Sequence, residues 1–476
     1  MSETIALAFD PKDIYPLPTS AFEEYFFIDS RRDLPATEAS EWVFTGSIDE
    51  NIFAKAFREA VSREPLLFAV LKKERGRLVW TRPDPPIEPI LEIERIDKSI
   101  LEPTEGERAL SWIDLRTESS MRCRLVVAPD GFALRFETSH ALTDGAGLAR
   151  FVAFLCELYG DLREGLDLAK VDARNERAPD PNLVKEREDL HIELPEKTSL
   201  WTDLRYLVSE TFLWFVRRPW SISSLYRKRE KSRESRTRGS RVHWRDLPNE
   251  TFKRIVRRSK ELGVTANSAL TRDVFVALNK TREKFENPSF KRRFRILVPT
   301  NMRVGAHKRA PLVNLIGYSF LDRLSSECDR SDEFVREIDS QIKEIIRWSV
   351  GSFFLDGLKF FRAIPGALRV LTSRFFCHST TVFSNLGPIE RLSERPAFIE
   401  ARSIAIDEKT RLVRVVGAPP TRPNTPICVA AIGTSRATTF SFCFDERVIS
   451  REDAKTFIDV FWGELLASAG ETETVN

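Results

Sequence analysis

The stretch Phe132-Ala-Leu-Arg-Phe-Glu-Thr-Ser-His-Ala-Leu-Thr-Asp-Gly145 contains a strand signal, a short polar loop and the start of a helix. Phe132, Leu134 and Phe136 alternate with Ala, Arg and Glu, a period of two that predicts a strand with one buried face. The segment before it, 122–128, has a strand composition and is joined to it through Pro-Asp-Gly. This spacing predicts a β-hairpin.

The residues after Gly145 are apolar at helical spacing. The predicted helix ends at Gly160, and its stripe consists of Leu148, Phe151, Val152, Leu155, Leu158 and Tyr159. His140 and Asp144 are therefore expected on a loop between a core strand and a core helix.

His140 is the candidate general base. A neutral imidazole can take the proton of a hydroxyl group while its oxygen attacks a thioester, and can then return the proton to the thiolate. Asp144 has two interpretations, because it could orient His140 or turn away to an arginine and shape the loop. Gly145 permits a tight exit from the loop or a close approach to a ligand. The same spacing also arises by chance in roughly one chain in a hundred.

Other chemistries find less support in the sequence. The remaining histidines lie in unrelated segments and no Cys pair has zinc spacing, so we predict no metal site. There is no GxSxG nucleophile motif. Three residues separate His140 from Asp144, whereas the motif of glycerol-phosphate acyltransferases has four.

Composition bounds the remaining possibilities. The chain has 476 residues, of which 42% are apolar, and it includes 34 Phe. This length and composition fit two or three domains with sizeable cores. A net charge of +3 gives a nucleic-acid partner no electrostatic support. The N-terminus lacks a signal peptide pattern and no window is apolar over the ~20 residues of a membrane span, so we expect a cytoplasmic protein. Most of its cysteines are expected as buried, reduced thiols.

Three regions are predicted along the chain: an N-terminal lobe over 1–170, a connection over 171–241 and a C-terminal lobe over 242–476. Both lobes mix strands with helices, which predicts two α/β sandwiches. In the connection, the aromatic segment Trp201–Trp220 precedes a basic run. It could be an interfacial helix in peripheral contact with a membrane, or a helix packed on the protein. The Phe-rich segment Gly351–Phe376 could be a core helix or part of an acyl-chain channel.

Taken together, these motifs resemble the chloramphenicol-acetyltransferase-like superfamily. The loop from His140 to Gly145 is similar to its HxxxD(G) motif, placed as in the superfamily between a strand and a helix. Other similar segments are Pro16–Tyr25, Phe44–Asp49, Arg63–Leu67, Val298-Pro-Thr-Asn-Met-Arg303 and Ser384-Asn-Leu-Gly-Pro388. The superfamily includes alcohol acetyltransferases, wax ester synthase/diacylglycerol acyltransferases and condensation domains. Ser139 stands where condensation domains usually have a further His, which favours the alcohol-acetyltransferase and wax-synthase side.

The resemblance implies a pseudo-dimer of two lobes with a tunnel between them. His140 is then the base in the tunnel, Asp144 pairs with Arg303 near Gly145, and Ser139, Asn385 and Gly387 line the substrate site. The implied reaction transfers an acyl group from acyl-CoA to an alcohol in a monomeric enzyme that binds no cofactor. The alternatives are a condensation-type enzyme with a carrier-protein thioester and an amine or alcohol acceptor, or a non-catalytic binding relative. The aromatic segments favour a hydrophobic, lipid-like partner.

Overall fold

A computed structural model describes residues 5–167, 178–188, 217–226, 239–303, 307, 309–389, 404 and 406–471. The aromatic segment Trp201–Trp220 and the basic run that follows it lie largely outside these ranges. Fifteen strands, numbered in chain order, form three sheets within the described residues. The smallest has three strands, in the order Leu17–Pro18 (β1), Arg77–Thr81 (β4) and Val70–Glu74 (β3).

The first lobe is built on a five-stranded sheet. Its strands, in spatial order, are Leu412–Val416 (β13), Thr37–Thr45 (β2), Gly131–Ser139 (β8), Met121–Ala128 (β7) and Leu91–Arg95 (β5). The predicted hairpin is present as β7 and β8, with Met121 opposite Thr138 and Ala128 opposite Gly131. Alternation along β8 and the Pro-Asp-Gly turn fix this register.

The second lobe is built on a seven-stranded sheet. Its spatial order is Ile316–Leu324 (β11), Arg293–Asn301 (β10), Thr381–Pro388 (β12), Ile427–Gly433 (β14), Ala437–Asp445 (β15), Ser240–Pro248 (β9) and Glu105–Ala109 (β6). The pairs β10/β12 and β12/β14 are parallel and the others are antiparallel. A mixed sheet of this kind is common in α/β folds.

Each lobe receives an edge strand from the other half of the chain. Strand β13 pairs with β2 in the first sheet, and β6 pairs with β9 in the second. Local periodicity predicts that a segment is a strand but does not specify a distant pairing partner. The predicted C-terminal lobe over 242–476 therefore includes β13, whereas in the structure β13 pairs with β2 in the sheet of the first lobe.

Eleven α-helices are described, and they are numbered in chain order. They are Pro11–Ile14 (α1), Ala21–Asp29 (α2), Glu50–Ser62 (α3), Gly145–Arg163 (α4), Ser223–Tyr226 (α5), Asn249–Glu261 (α6), Ala266–Glu283 (α7), Asp332–Arg347 (α8), Gly351–Ala363 (α9), Ala367–Leu371 (α10) and Arg451–Ala469 (α11). Short 3₁₀ turns occur at Pro65–Phe68, Pro181–Glu186 and Ser325–Glu327.

Helices α2 and α3 begin at side-chain caps. Ser20 and Glu23 form a complete capping box at α2, and Asp49 caps α3 through two backbone N–H groups. A 3₁₀ turn at Pro65–Phe68 precedes β3, since proline fixes the backbone at a helical φ. One boundary differs from the prediction. Helix α4 continues three residues beyond Gly160 to Arg163, and Leu162 in this last turn is partly buried against the first-lobe core.

Two large apolar cores hold the lobes. One lies within the second lobe, while the other combines first-lobe residues with Leu297, Ile316 and Val382 of the second sheet. Five of the six cysteines are buried, as expected for apolar thiols. The predicted two-lobe α/β fold is confirmed.

Candidate active site

The loop from His140 to Gly145, called the HALTDG loop, is held tightly at the end of β8. The backbone N–H of His140 donates to the Ala36 carbonyl at 2.8 Å, and that of Leu142 donates to Ser139 at 2.9 Å. Helix α4 begins at Gly145, with Asp144 as its N-cap. Strand pairing on one side and helix capping on the other therefore fix the position of the His140 side chain.

The His140 ring is fixed in one tautomer. Its Nδ1 lies 2.9 Å from the Thr143 carbonyl oxygen, which can only accept a hydrogen bond, so Nδ1 carries the proton. The ring packs on Phe26 with centroids 4.3 Å apart. Asn314 of the second lobe donates to the His140 carbonyl at 2.8 Å. Nε2 has no hydrogen-bond partner among the described residues, so its lone pair is available to a ligand.

Burial keeps His140 neutral. Desolvation lowers the imidazole pKa below its ordinary value, and this outweighs the opposing effects of the Thr143 carbonyl and the Asp144 carboxylate. A neutral ring with an accessible Nε2 can take a proton at neutral pH. The arrangement is suited to general base chemistry.

The Asp144 carboxylate faces Arg303. Two parallel bonds of 2.9 and 3.0 Å join the two side chains, which are almost completely buried. The backbone N–H groups of Gly147 and Leu315 donate to the same carboxylate at 2.9 and 2.7 Å. Arg303 and these bonds hold the pKa of Asp144 low despite its burial. Thr143, through its carbonyl group, is thus the residue that orients the His140 ring.

A cavity of about 150 Å³ separates the two lobes at His140. The first lobe contributes His140, Asp144 and Gly145 to its wall, and the second contributes Asn385. The structure therefore brings these four predicted site residues together. Apolar side chains that line the cavity include Phe26, Leu297, Ile316, Val382 and Ile432.

Three other predicted residues lie behind this wall. Ser139 is buried, and its Oγ accepts a bond from the Ala141 N–H at 3.3 Å. Arg303 meets the site through Asp144. Gly387 has a left-handed φ of +65° and donates its N–H to the Asn385 Oδ1 at 2.9 Å. Its role is to shape the strand end that carries Asn385, and the substrate-contact roles predicted for Ser139 and Gly387 remain predictions.

Sequence reasoning missed a carboxyl group in the same cavity. Glu38 lies on β2 and contributes to the wall beside Asp144 and Gly145. Burial raises its pKa to about 8, and the neighbouring Asp144 carboxylate acts in the same direction. Within a strand, its polar neighbours suggest a solvent-facing residue. Gly417, which follows β13, and Gly145, which begins α4, lie on either side of its carboxyl group.

A second polar group, the pair of Arg422 and Asp29, was also not predicted from the sequence. Arg422 binds Asp29 through two bonds of 2.5 and 3.1 Å, and both residues line the cavity. The Arg422 guanidinium also lies 5.0 Å from the ring centroid of Tyr25. Asp29 ends α2 and Arg422 follows β13, so no local spacing could have linked them.

Comparisons with known proteins address the fold. No family model matches the sequence, and no curated protein matches it. Solved structures align over nearly the whole chain. The first condensation domain of the CDA synthetase covers 97% of this chain and 97% of its own, with a TM-score of 0.67 and 14% identity.

Two further structures match in complex with small molecules. A variant of the starter condensation domain of rhizomide synthetase RzmA, with C8-CoA and Leu-SNAC, covers 96% of this chain and 95% of its own at a TM-score of 0.61 and 12% identity. SgcC5 from Streptomyces globisporus, with (R)-(-)-1-(2-naphthyl)-1,2-ethanediol and sucrose, covers 95% and 98% at a TM-score of 0.61 and 15% identity.

The fold is that of a condensation domain. This confirms the resemblance to the chloramphenicol-acetyltransferase-like superfamily at the level of fold, because condensation domains belong to that superfamily. The HALTDG loop lies at the junction of the two condensation-fold lobes.

For the segment Gly351–Phe376, the sequence left two interpretations open: a core helix or part of an acyl-chain channel. Helices α9 and α10 contribute no lining residue to the His140 cavity as described. Phe354 instead packs on Tyr318, with ring centroids 4.8 Å apart, behind the cavity wall. The inner side of the segment, which carries Phe354, therefore fits the core-helix interpretation. On its outer side Phe360 and Phe375 are 65% and 94% exposed. The membrane contact considered for Trp201–Trp220 remains a prediction.

One group of potential metal ligands occurs in the described part of the chain. Glu107, His243 and Glu446 bring ligand atoms within 4.8 Å of one another where β6 meets β9. Both carboxylates are already paired with Arg241 and Arg451 at 3.1 to 3.2 Å. These guanidinium groups oppose a cation at this position.

Among the described helices, none is long and apolar enough to cross a membrane.

Proposed function

We propose that the protein transfers an acyl group from a thioester to a nucleophilic acceptor, with His140 as the general base. The observation that carries this proposal is the neutral His140 ring. Its tautomer is set by Thr143, and its Nε2 has no hydrogen-bond partner from the described part of the chain in a cavity between two lobes. The condensation fold supports the proposal, as does the position of His140 in the wall of the cavity between the two lobes.

The reaction needs no covalent enzyme intermediate. As the acceptor oxygen or nitrogen attacks the thioester carbonyl, Nε2 takes its proton. The tetrahedral intermediate collapses with cleavage of the C–S bond, and the imidazolium returns the proton to the thiolate. The products are an ester or amide and a free thiol. The Thr143 carbonyl and the field of Asp144 stabilise the transient imidazolium.

Two kinds of thioester are candidate acyl donors. Condensation-domain neighbours favour a thioester carried by a partner protein, and the RzmA complex with C8-CoA makes CoA the second candidate. Both are thioesters of small flexible thiols. A comparison of acyl-CoA with the same acyl group on a carrier protein separates the two sources.

The acceptor is a hydroxyl or an amino group. The SgcC5 complex with a diol supports an alcohol, and the RzmA complex with Leu-SNAC supports an amine. Apolar lining residues such as Ile316 and Val382 favour an acceptor or acyl chain with apolar surface. Long acyl chains, and a lipid-like partner in particular, remain part of the proposal.

The variant His140→Ala tests the function. We expect thiol release from acyl thioesters in the presence of an acceptor to fall by ~10²–10⁴, with the fold intact by circular dichroism. His243→Ala is the matched control, because His243 lies on β9 away from the cavity. Turnover of His140→Ala close to that of the wild type contradicts the mechanism.

A further inference from the structure

Among the described residues, the Glu38 carboxyl group has no hydrogen-bond or ion-pair partner. Its side chain is partly accessible because it faces the His140 cavity. A methyl group placed on either Gly145 or Gly417 would lie 3.7 Å from its Oε1, so the carboxyl group sits in the gap between these two glycines. No hydrogen bond or ion pair joins it to another residue in the described part of the chain.

The surrounding charges leave Glu38 as the unbalanced group. Asp144 is neutralised by Arg303, and Asp29 by Arg422. His140 is neutral in the resting protein. An ionised Glu38 would therefore leave the cavity with one net negative charge. A buried unpaired carboxylate is costly, so a ligand that brings one positive charge is favoured there.

We propose that Glu38 binds the amino group of the acceptor and takes the first of the two protons that a primary ammonium must lose. This inference rests on the proposed acyl transfer and narrows its acceptor to a primary amine. It also makes Glu38 a catalytic residue distinct from His140.

The protons balance in three steps. With a pKa of about 8 the resting Glu38 is neutral at pH 7, so the bound ammonium first displaces its proton to solvent and pairs with the carboxylate. The ammonium then passes one proton to this carboxylate, which leaves a neutral amine and a neutral carboxyl group. Last, the amine nitrogen attacks the thioester carbonyl and gives a proton to Nε2 of His140, which returns it to the leaving thiolate. The products are an amide, a free thiol and one proton.

The acidity of Glu38 suits the first step. A pKa of about 8 is much closer to that of an alkylammonium group, about 10, than the pKa of an ordinary carboxylic acid is. Proton transfer from the ammonium to Glu38 is then unfavourable by only about 10²-fold, against about 10⁶-fold for an ordinary carboxylate. An ordinary carboxylic acid, near 4, would leave the amine protonated and unreactive.

The variant Glu38→Gln tests the inference with a matched pair of acceptors, 2-phenylethylamine and 2-phenylethanol, and an octanoyl thioester of N-acetylcysteamine as donor. At pH 7 we expect kcat/KM for the amine to fall by about 10- to 100-fold, and that for the alcohol to change by less than about twofold. The loss should shrink as the pH approaches the pKa of the amine. Glu38→Asp should restore part of the rate, and Glu74→Gln, at an exposed position, is the control.

Binding gives a readout without turnover. By isothermal titration calorimetry, the wild type should bind 2-phenylethylammonium at least about tenfold more tightly than Glu38→Gln does. Equal binding, or equal loss for amine and alcohol, overturns the role of Glu38. If His140→Ala abolishes transfer while Glu38→Gln changes neither acceptor, the proposed function stands and this inference fails. If no thiol is released with either acceptor, the function fails, and the calorimetry still decides whether Glu38 binds amines.

Discussion

Asp144 and Glu38 line the same cavity, yet their carboxyl groups have opposite surroundings. Asp144 receives two bonds from Arg303 and two from backbone N–H groups, whereas Glu38 receives none from the described residues. Their pKa values accordingly move in opposite directions. The comparison shows that burial alone does not decide the role of a carboxyl group. A saturated carboxyl group, whose hydrogen bonds are all made within the protein, stabilises the fold. An unsatisfied carboxyl group, which lacks such bonds, is available to a ligand.

The largest expected effect tests the saturated side. Asp144→Asn leaves the guanidinium of Arg303 buried without its counter-charge, so we expect a loss of about 3 kcal/mol in the free energy of unfolding. Urea denaturation measures it. The control is Asp459→Asn, which removes an exposed partner of Arg245 and should cost less than about 1 kcal/mol. A stable Asp144→Asn protein that has lost only turnover would show that Asp144 acts in catalysis.

An intermediate effect tests the unsatisfied side. The folded pKa of Glu38, about 8, exceeds that of an unfolded glutamate, about 4.3, so the folded state binds its proton more tightly. Its contribution to stability is therefore lost as the pH rises from about 4 to 8. Glu38→Gln should remove this loss and become more stable than the wild type at pH 9, by on the order of 1–3 kcal/mol.

Melting temperatures across this pH range measure the difference, with Glu74→Gln as the control. Part of the pH dependence should remain in the variant, because burial also raises the pKa of Glu64 to about 8. A difference between variant and wild type that is constant from pH 5 to pH 9 would mean that the folded Glu38 carboxyl group titrates normally.

The smallest expected effect concerns the pKa of His140, which lines the same cavity as the two carboxyl groups. Because burial lowers its pKa, the acid limb of alcohol transfer should lie below the ordinary histidine value of about 6.5. Glu38 is neutral in that range, so Glu38→Gln should leave the limb unmoved. The pH profile of kcat/KM for 2-phenylethanol provides the test. A shifted limb in the variant would show that Glu38 is already ionised beside His140.

The parts of the fold that depend on neighbouring residues were predictable. Alternation along β8, the Pro-Asp-Gly turn and the caps at Ser20 and Asp49 encode the hairpin and the helix starts. The HALTDG loop could be placed because a strand pattern ends and a helix pattern begins around it. The two-lobe fold came from several short motifs that resemble one superfamily.

The rest depends on contacts between distant segments. The sequence around Glu38 suggests a solvent-facing residue, because Gly417, which lies beside its carboxyl group, comes from more than 370 positions later in the chain. Asn314, whose amide fixes the His140 backbone, lies on a loop without a motif. No spacing connects Asp29 with Arg422. Such residues become visible only once the two lobes are packed together.

The exchanged strands β13 and β6 make the two halves of the gene product interdependent. A fragment that ends in the connection region would expose the edge of β2 that β13 covers, and the complementary fragment would expose the edge of β9. Unpaired edges of this kind promote aggregation when a fragment is produced alone. Produced together, each fragment supplies the strand that the other lacks. The chain is thus a natural candidate for a split reporter, whose activity would return only when two fused partners bring the halves together.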